Sequence, residues 1–171
     1  MNAPLVIAMA GPNGSGKSTS GPGLVHKTLG VTEYIDADVL ARRVDPQAPE
    51  RAALQAGRVM LRQIHSLAER KVSYAFESTL ASRSFAPWIK DLCGQGWEFH
   101  LLFLWLPDEN FAMGRVRDRV LTGGHNVPEQ VIRRRYHAGL RNFFRLYRPL
   151  ATGWRMYDNS SGIPDPIASG E

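Results

Sequence analysis

From Gly11 to Ser18 the chain reads Gly11-Pro12-Asn13-Gly14-Ser15-Gly16-Lys17-Ser18, which fills every fixed position of G-x-x-x-x-G-K-[S/T]. The chemistry of such a segment is the holding of phosphates. Glycines allow successive backbone N–H groups to turn inward, and a following helix N-terminus adds positive potential. The whole stretch from Gly11 through Pro12, Asn13, Gly14, Ser15 and Gly16 is therefore expected to wrap the phosphates of ATP (or GTP). Lys17 is expected to reach the β- and γ-phosphates, and Ser18 to ligate Mg²⁺, with Thr19 next to it on the same turn. The motif follows the apolar run Leu5–Ala10 and precedes a helical stretch, the order this mechanism requires. A chance turn of the same composition would lack that setting.

Transfer of a phosphoryl group asks for positioning, charge neutralisation and something to orient the attacking hydroxyl. Asp38 follows the short strand Tyr34–Ile35, on the side of an α/β sheet where ligands gather. Its carboxylate could accept the proton of a substrate hydroxyl, or it could cap a helix beginning at Val39; Asp36 is the second candidate. Glu77 ends the strand Val72–Glu77, where it could meet a magnesium-bound water, a substrate hydroxyl or only solvent, and Thr79 lies just beyond. Arg115 and Arg119 stand one helical turn apart before a glycine pair, so either could reach a transferring phosphoryl group, and Arg119 is the nearer to the loop. On the next helix Arg133 is expected as a further phosphate ligand, whereas Arg134, Arg141, Arg145 and Arg148 read as a solvated face. His125, alone in the loop, could touch phosphate or be incidental.

The elements that must carry these residues alternate short apolar runs with helical periods, which points to α/β with a mainly parallel sheet. Leu5–Ala10 is a strand buried on both faces. A helix from Lys17 toward Leu29 meets Gly21-Pro22-Gly23, where a kink or a delayed start is expected. A helix after Asp38 should stop at Pro46. Glu50–Arg70 is a long amphipathic helix with Leu54, Val59, Leu61, Ile64 and Leu67 as its apolar side. Phe85–Gln95 is helical, Glu98–Leu106 is a central strand, and Pro107-Asp108 opens a helix to about Leu121. Thr122 to Asn126 has a loop composition. A helix from Pro128 to Tyr147 carries Ile132, Tyr136, Leu140, Phe143 and Tyr147 on one stripe; Arg155–Tyr157 is a last strand and Ile163 onward a frayed tail. Trp88, Trp97, Trp105 and Trp154 read as packing residues.

Composition bounds the rest. With 171 residues, 43% apolar and 22% charged, the chain suits one soluble domain with a core of its own. Cys93 is the only cysteine, so no internal disulfide forms, and tetrahedral zinc is not expected. No apolar run is long enough to span a bilayer, no membrane partner is expected, and the cytoplasm is the expected location. Seventeen of the 21 basic residues are arginine, and ten of them lie between Arg115 and Arg155 with only Asp118 and Glu129 as acids. Either an anionic partner or a solvated basic face accounts for that asymmetry. No helix-turn-helix or aromatic-basic motif supports nucleic acid as the partner.

Taken together, several segments resemble the zeta-toxin family of P-loop kinases, in particular its short zeta-toxin-like branch. They are the phosphate loop through Thr19, Ile35-Asp36-Ala37-Asp38, Phe76-Glu77-Ser78-Thr79-Leu80, Arg115 to Val120, Gly123 to Pro128, Arg133-Arg134-Arg135-Tyr136 and Asp158-Asn159-Ser160. The resemblance implies a three-layer P-loop NTPase/kinase fold, α/β with helices flanking the sheet, forming one domain over residues 1–171 with a lid around 115–135. It also implies a kinase that uses Mg·ATP on a small-molecule substrate, UDP-N-acetylglucosamine in the better-understood members, and an antitoxin protein as partner. Asp38 falls where the family's base lies, Glu77 where it binds substrate, with Thr79 beside it to assist, and Asp158–Ser160 near the adenine. The length of the sequence leads to the expectation that the C-terminal extension of the larger toxins is missing, and the Gly21-Pro22-Gly23 interruption is a second departure from the family. Two other readings share the phosphate loop: a kinase for an antibiotic or a nucleoside, and a nucleotide-sensing module without turnover.

Overall fold

The computed structural model describes residues 3–45, 49–124 and 126–171. Six strands, β1 (Leu5–Ala10), β2 (Tyr34–Ile35), β3 (Tyr74–Ser78), β4 (Glu98–Trp105), β5 (Gly153–Asp158) and β6 (Asp165–Gly170), form one sheet in the order β2-β3-β1-β4-β5-β6. The first five run parallel and β6 closes the edge antiparallel to β5. The helices are α1 (Lys17–Leu29), α2 (Ala37–Val44), α3 (Pro49–Glu69), α4 (Phe85–Gly94), α5 (Glu109–Leu121) and α6 (Glu129–Asn142).

The period-two alternation of the strands splits the core into two layers. Val6, Ala8, Ala10, Phe76, Phe99, Leu101 and Phe103 face one side and pack on Ala56, Met60 and Ile64 of α3 and on Ala86, Ile89 and Leu92 of α4. Ile7, Met9, Ala75, Leu102 and Leu104 face the other and meet Val25 of α1. Helices on both faces of a parallel sheet make the α/β, three-layer arrangement expected from the motif order. A third cluster, Leu106, Ala112, Met113, Val116, Val127, Ile132 and Tyr136, ties α5 to α6, and Tyr136 donates its hydroxyl to the Leu106 carbonyl at 2.8 Å. Trp97 is buried, and Trp88, Trp105 and Trp154 pack on the larger layer, so all four tryptophans serve the core.

Five details differ from the sequence reading. Helix α1 is neither delayed nor interrupted, because Thr19 and Ser20 N–H groups close on the Gly16 carbonyl and the turn is made before Pro22 is reached. Gly21 is required by packing: a side chain there would collide with the Tyr34 hydroxyl and come within 3.0 Å of Met9 Cγ. Helix α2 starts at Ala37, not at Val39, since Asp36 caps it by accepting from Asp38 N at 2.8 Å and Val39 N at 3.4 Å. The expected stop at Pro46 lies outside the described residues.

On α3 the buried stripe is Ala56, Met60 and Ile64, spaced four residues apart, while Leu54 and Leu61 are 72% and 44% exposed; the apolar set is wider than the one face that packs. The stretch after Asn142 widens into a π-type turn (Phe143–Tyr147) and a short 3-10 turn (Arg148–Leu150) instead of continuing α6. Finally, the expected tail is strand β6. Its side chains face solvent on both sides, so hydropathy gives no sign of it, and the backbone ladder to β5 holds it. A bulge between Met156 and Tyr157 accommodates Pro166, which has no N–H to offer, and glycine at 170 leaves room for the Trp154 indole.

Candidate active site

The C-terminal ends of β1 and β3 open into a cleft of about 960 Å³ lined by the phosphate loop, Asp36, Asp38, Arg42, Glu77, Thr79, Arg115, Arg119, Gly123, Gly124 and Arg135. Strand β1 ends at Ala10 and α1 begins at Lys17, so the intervening loop sits where a parallel sheet gathers ligands and where the first N–H groups of a helix open forward. Asn13, Gly14, Gly16, Lys17, Ser18 and Thr19 reach the cleft surface. The other three residues of the motif stand behind it. Ser15 is fully buried, and Gly11 and Pro12 turn their carbonyls to Lys17.

Two glycines in this loop are there for space. A side chain at Gly14 would meet the Ala112 carbonyl at 2.8 Å, so the loop is packed directly against α5. Gly16 takes the left-handed backbone (φ 87°) that turns the loop into α1, and a side chain there would come within 2.6 Å of Asn159 Nδ2. That amide donates to the Ser15 carbonyl at 2.7 Å, and Asn159 is 1% exposed, so the loop after β5 braces the phosphate loop from behind. Asn13 keeps its side-chain oxygen, Oδ1, buried without a hydrogen-bond partner.

Lys17 Nζ donates to the carbonyls of Gly11 and Pro12, both at 2.9 Å. Burial lowers its pKa, the charges of Glu77, Asp38 and Asp36 push the other way, and Arg119 adds to the lowering. The ammonium therefore sits among three carboxylates inside the loop that it closes. Glu77 is the best-connected of these. Its Oε2 accepts from Ser18 Oγ at 3.1 Å and its Oε1 from Tyr34 Oη at 2.9 Å. Burial raises the carboxyl pKa to about 7 against the pull of Lys17; Asp36 raises it further, and the two hydroxyls lower it.

Asp36 and Asp38 divide the two roles that the sequence left open. Asp36 is buried and uses Oδ1 for the cap, while its other oxygen, Oδ2, is buried without a hydrogen-bond partner. Asp38 sits in the first turn of α2, exposed at the cleft wall. Thr79 also lines the cleft, its hydroxyl accepting from Ala81 N at 3.5 Å.

The arginines sort differently from the sequence reading. Arg119 lines the cleft. Arg115 lines it as well but is engaged, donating to the carbonyls of Asn159 (3.0 Å) and Ser160 (2.6 Å) and lying over the Phe111 ring. Arg133 is not among the lining residues: it pairs with Glu109 at 3.2 Å and bonds Asn110 at 3.2 Å, on the side of α6 that faces α5. Arg135, two positions on and so about 200° around the helix, takes the cleft wall instead. Burial and Arg134 lower its pKa, and Asp38 opposes them. The run Arg133-Arg134-Arg135 was visible in the sequence, but which of the three meets the cleft depends on how α6 is rotated. Arg42, one turn after Asp38, is a second cleft cation that sequence reasoning passed over. His125 lies outside the described residues.

The site fits the groups its motif implies. Ser18 and Glu77 present hard oxygens within hydrogen-bond distance of each other, the few protein ligands that magnesium needs when phosphates and water complete its shell. Gly14 and Gly16, which carry no side chain, line the cleft together with Lys17, so backbone and an ammonium face the space that a phosphate would take.

Known proteins share this framework. The family described as an AAA domain matches residues 6–146. An uncharacterized protein of Haemophilus influenzae is 31% identical over 130 residues, covering 76% of this chain and 91% of its own. Among solved structures, the PezAT toxin-antitoxin system of Streptococcus pneumoniae superposes with a TM-score of 0.71 at 15% identity, covering 99% of this chain and 72% of the other. The AvrRxo1-ORF1:-ORF2 complex with ATP gives a TM-score of 0.71 at 15% identity, covering 98% of this chain and 58% of the other. At these identities the likeness to both is one of fold. No helix among the described residues is long and apolar enough to cross a membrane.

Proposed function

The chain belongs to the AAA domain family, and from that premise we propose that it is an ATP-dependent phosphotransferase acting on the hydroxyl of a small metabolite. The observation that carries this reading is the convergence on one cleft of a complete phosphate loop, the Ser18–Glu77 pair and an accessible carboxylate, Asp38. A module that only bound nucleotide would have no use for that third component.

In this reading the loop from Gly11 to Gly16 and Lys17 hold the triphosphate, with Asn13 and Gly14 at the outer rim and Thr19 on the turn after the lysine. Ser18 and Glu77 would hold magnesium, which would neutralise part of the phosphate charge when bound. Asp38 orients the acceptor hydroxyl and takes its proton as the new oxygen–phosphorus bond forms and the bond to the β-phosphate oxygen breaks. Arg119 and Arg135 stabilise the charge that accumulates on the transferred group. Arg115 braces the loop after β5, and Thr79 contacts the acceptor beside Glu77. Residues 115–135 act as a lid over one domain that spans the whole chain.

The acceptor that the resemblance to zeta toxins favours is UDP-N-acetylglucosamine, and an antitoxin is the corresponding partner. The shared fold with a toxin-antitoxin protein supports that choice. Incubation with labelled Mg·ATP and a panel of nucleotide sugars, nucleosides and hydroxylated antibiotics tests it. A labelled product from UDP-N-acetylglucosamine is expected. Product from another acceptor alone would remove the sugar nucleotide and keep the reaction; ATP bound without any product would remove the reaction.

A further inference from the structure

The acceptor-side loop Thr79–Ser82 is held from outside the cleft by the end of α6 and the π-type turn that follows it. Asn142, buried at the end of α6, donates its amide to the carbonyls of Leu80 (2.7 Å) and Ala81 (3.3 Å). Tyr147 donates its hydroxyl to the next carbonyl, Ser82, at 2.6 Å. Gly139 lies so close to the Thr79 carbonyl that any side chain there would collide with it. Leu80 itself is fully buried with φ at 55°, a left-handed backbone that a leucine holds only when its surroundings over-determine it.

One stretch of chain serves two neighbours at once. A regular helix points adjacent side chains about 100° apart, so Asn142 and Phe143 are both buried, Asn142 against the loop and Phe143 against Phe103 and Trp154 in the core. The π-type turn that begins at Phe143 follows directly and carries Tyr147. Arg135, Gly139 and Asn142 meanwhile succeed each other at four- and three-residue spacing on one helix face. That face therefore carries a cleft cation at one end and the loop anchor at the other.

We propose that Asn142 is a positioning residue: through the carbonyls of Leu80 and Ala81 it fixes Thr79 in register with Arg135, and so sets where the phosphoryl acceptor sits. This rests on the phosphotransferase reading, but the loop anchoring does not. Asn142 touches no reacting atom, and a purely structural role would lower stability without singling out the acceptor.

The test substitutes Asn142→Leu, which keeps the branched side-chain skeleton and removes the donor. In the ligand-free protein, amide hydrogen exchange at Leu80 and Ala81 is expected to rise about tenfold or more, with the phosphate-loop amides unchanged. In turnover, acceptor KM is expected to rise about tenfold, with kcat within about twofold and Mg·ATP affinity unchanged. Unchanged exchange at Leu80 and Ala81 in the folded variant overturns the anchoring. Faster exchange with an unchanged acceptor KM, or with equal losses for ATP and acceptor, overturns the positioning role. Should the wild-type chain transfer phosphate to nothing, the acceptor role falls with that reading, and exchange decides the anchoring alone. Tyr147→Phe, which removes only the Ser82 bond, is expected to give smaller changes in the same direction, and it decides the question if Asn142→Leu does not fold.

Discussion

Ser18 and Glu77, 59 residues apart in the chain, meet at 3.1 Å across the mouth of the cleft, a hydroxyl at the start of α1 donating to a carboxylate near the end of β3. The parallel register that sets Met9 opposite Glu77 brings them together. Because Glu77 is desolvated and its pKa stands near 7, the pair is sensitive to pH when the site holds no cation. The folded carboxyl binds its proton more tightly than the unfolded one. Its contribution to stability is therefore full below about pH 4.5 and is lost as pH rises through about 7. Thermal unfolding of the ligand-free protein is expected to weaken over that window, by about 1 kcal/mol once solvent screening is allowed for. Glu77→Gln should flatten the curve. A wild-type curve already flat between pH 5 and 7.5 would contradict this assignment.

Lys17→Met keeps the length of the side chain and discards its charge. Nucleotide affinity, read by calorimetry with Mg·ATP, is expected to fall at least about tenfold. Retained affinity would mean that the backbone of the loop does the holding alone.

The two aspartates at the start of α2 should separate cleanly. Asp38→Asn is expected to lower transfer by about 10²–10⁴-fold with Mg·ATP affinity and Tm near wild type. Asp36→Ala removes the helix cap and should cost about 1 kcal/mol of stability in chemical denaturation. Full turnover by Asp38→Asn would take Asp38 out of the chemistry.

Arg133 and Arg135 offer the same contrast on α6. Arg133→Ala breaks a pair with Glu109, exposed on the arginine side, and is expected to leave turnover within about twofold. Arg135→Ala should reduce kcat by about a hundredfold. Reversed results would place the phosphate-facing side of α6 at Arg133.

Gly21→Ala drives a methyl group into the Tyr34 hydroxyl, which is bonded to Glu77. A loss of about 1–3 kcal/mol is expected in denaturant melts, and Tyr34→Phe in the same chain should recover part of it by removing the oxygen in the way. No recovery would show that the clash lies with Met9 instead.

Some of this molecule was written in local chemistry. Phosphate binding needs contiguous residues, glycines, a lysine and a hydroxyl between a strand and a helix, so Gly11 to Thr19 could be read without knowing what surrounds them. The order of buried strands and amphipathic helices likewise announced a parallel sheet, because burial on both faces leaves continuous apolar runs such as Leu5–Ala10. Other features depended on what lay opposite. Asp36, not Asp38, became the cap because β2 ends one residue earlier and presents its carboxylate to the first turn. Arg135 took the place expected of Arg133 because helix phase is set by packing against α5, and two residues of offset reverse which side faces the cleft. Strand β6 was hidden because exposed side chains carry no hydrophobic period, and only the partner strand supplies its hydrogen bonds. What the sequence determined by itself was the chemistry that adjacent residues perform together. The tertiary structure decided which distant side chains join it, since a hydrogen bond or a helix face is defined only once both partners have a place.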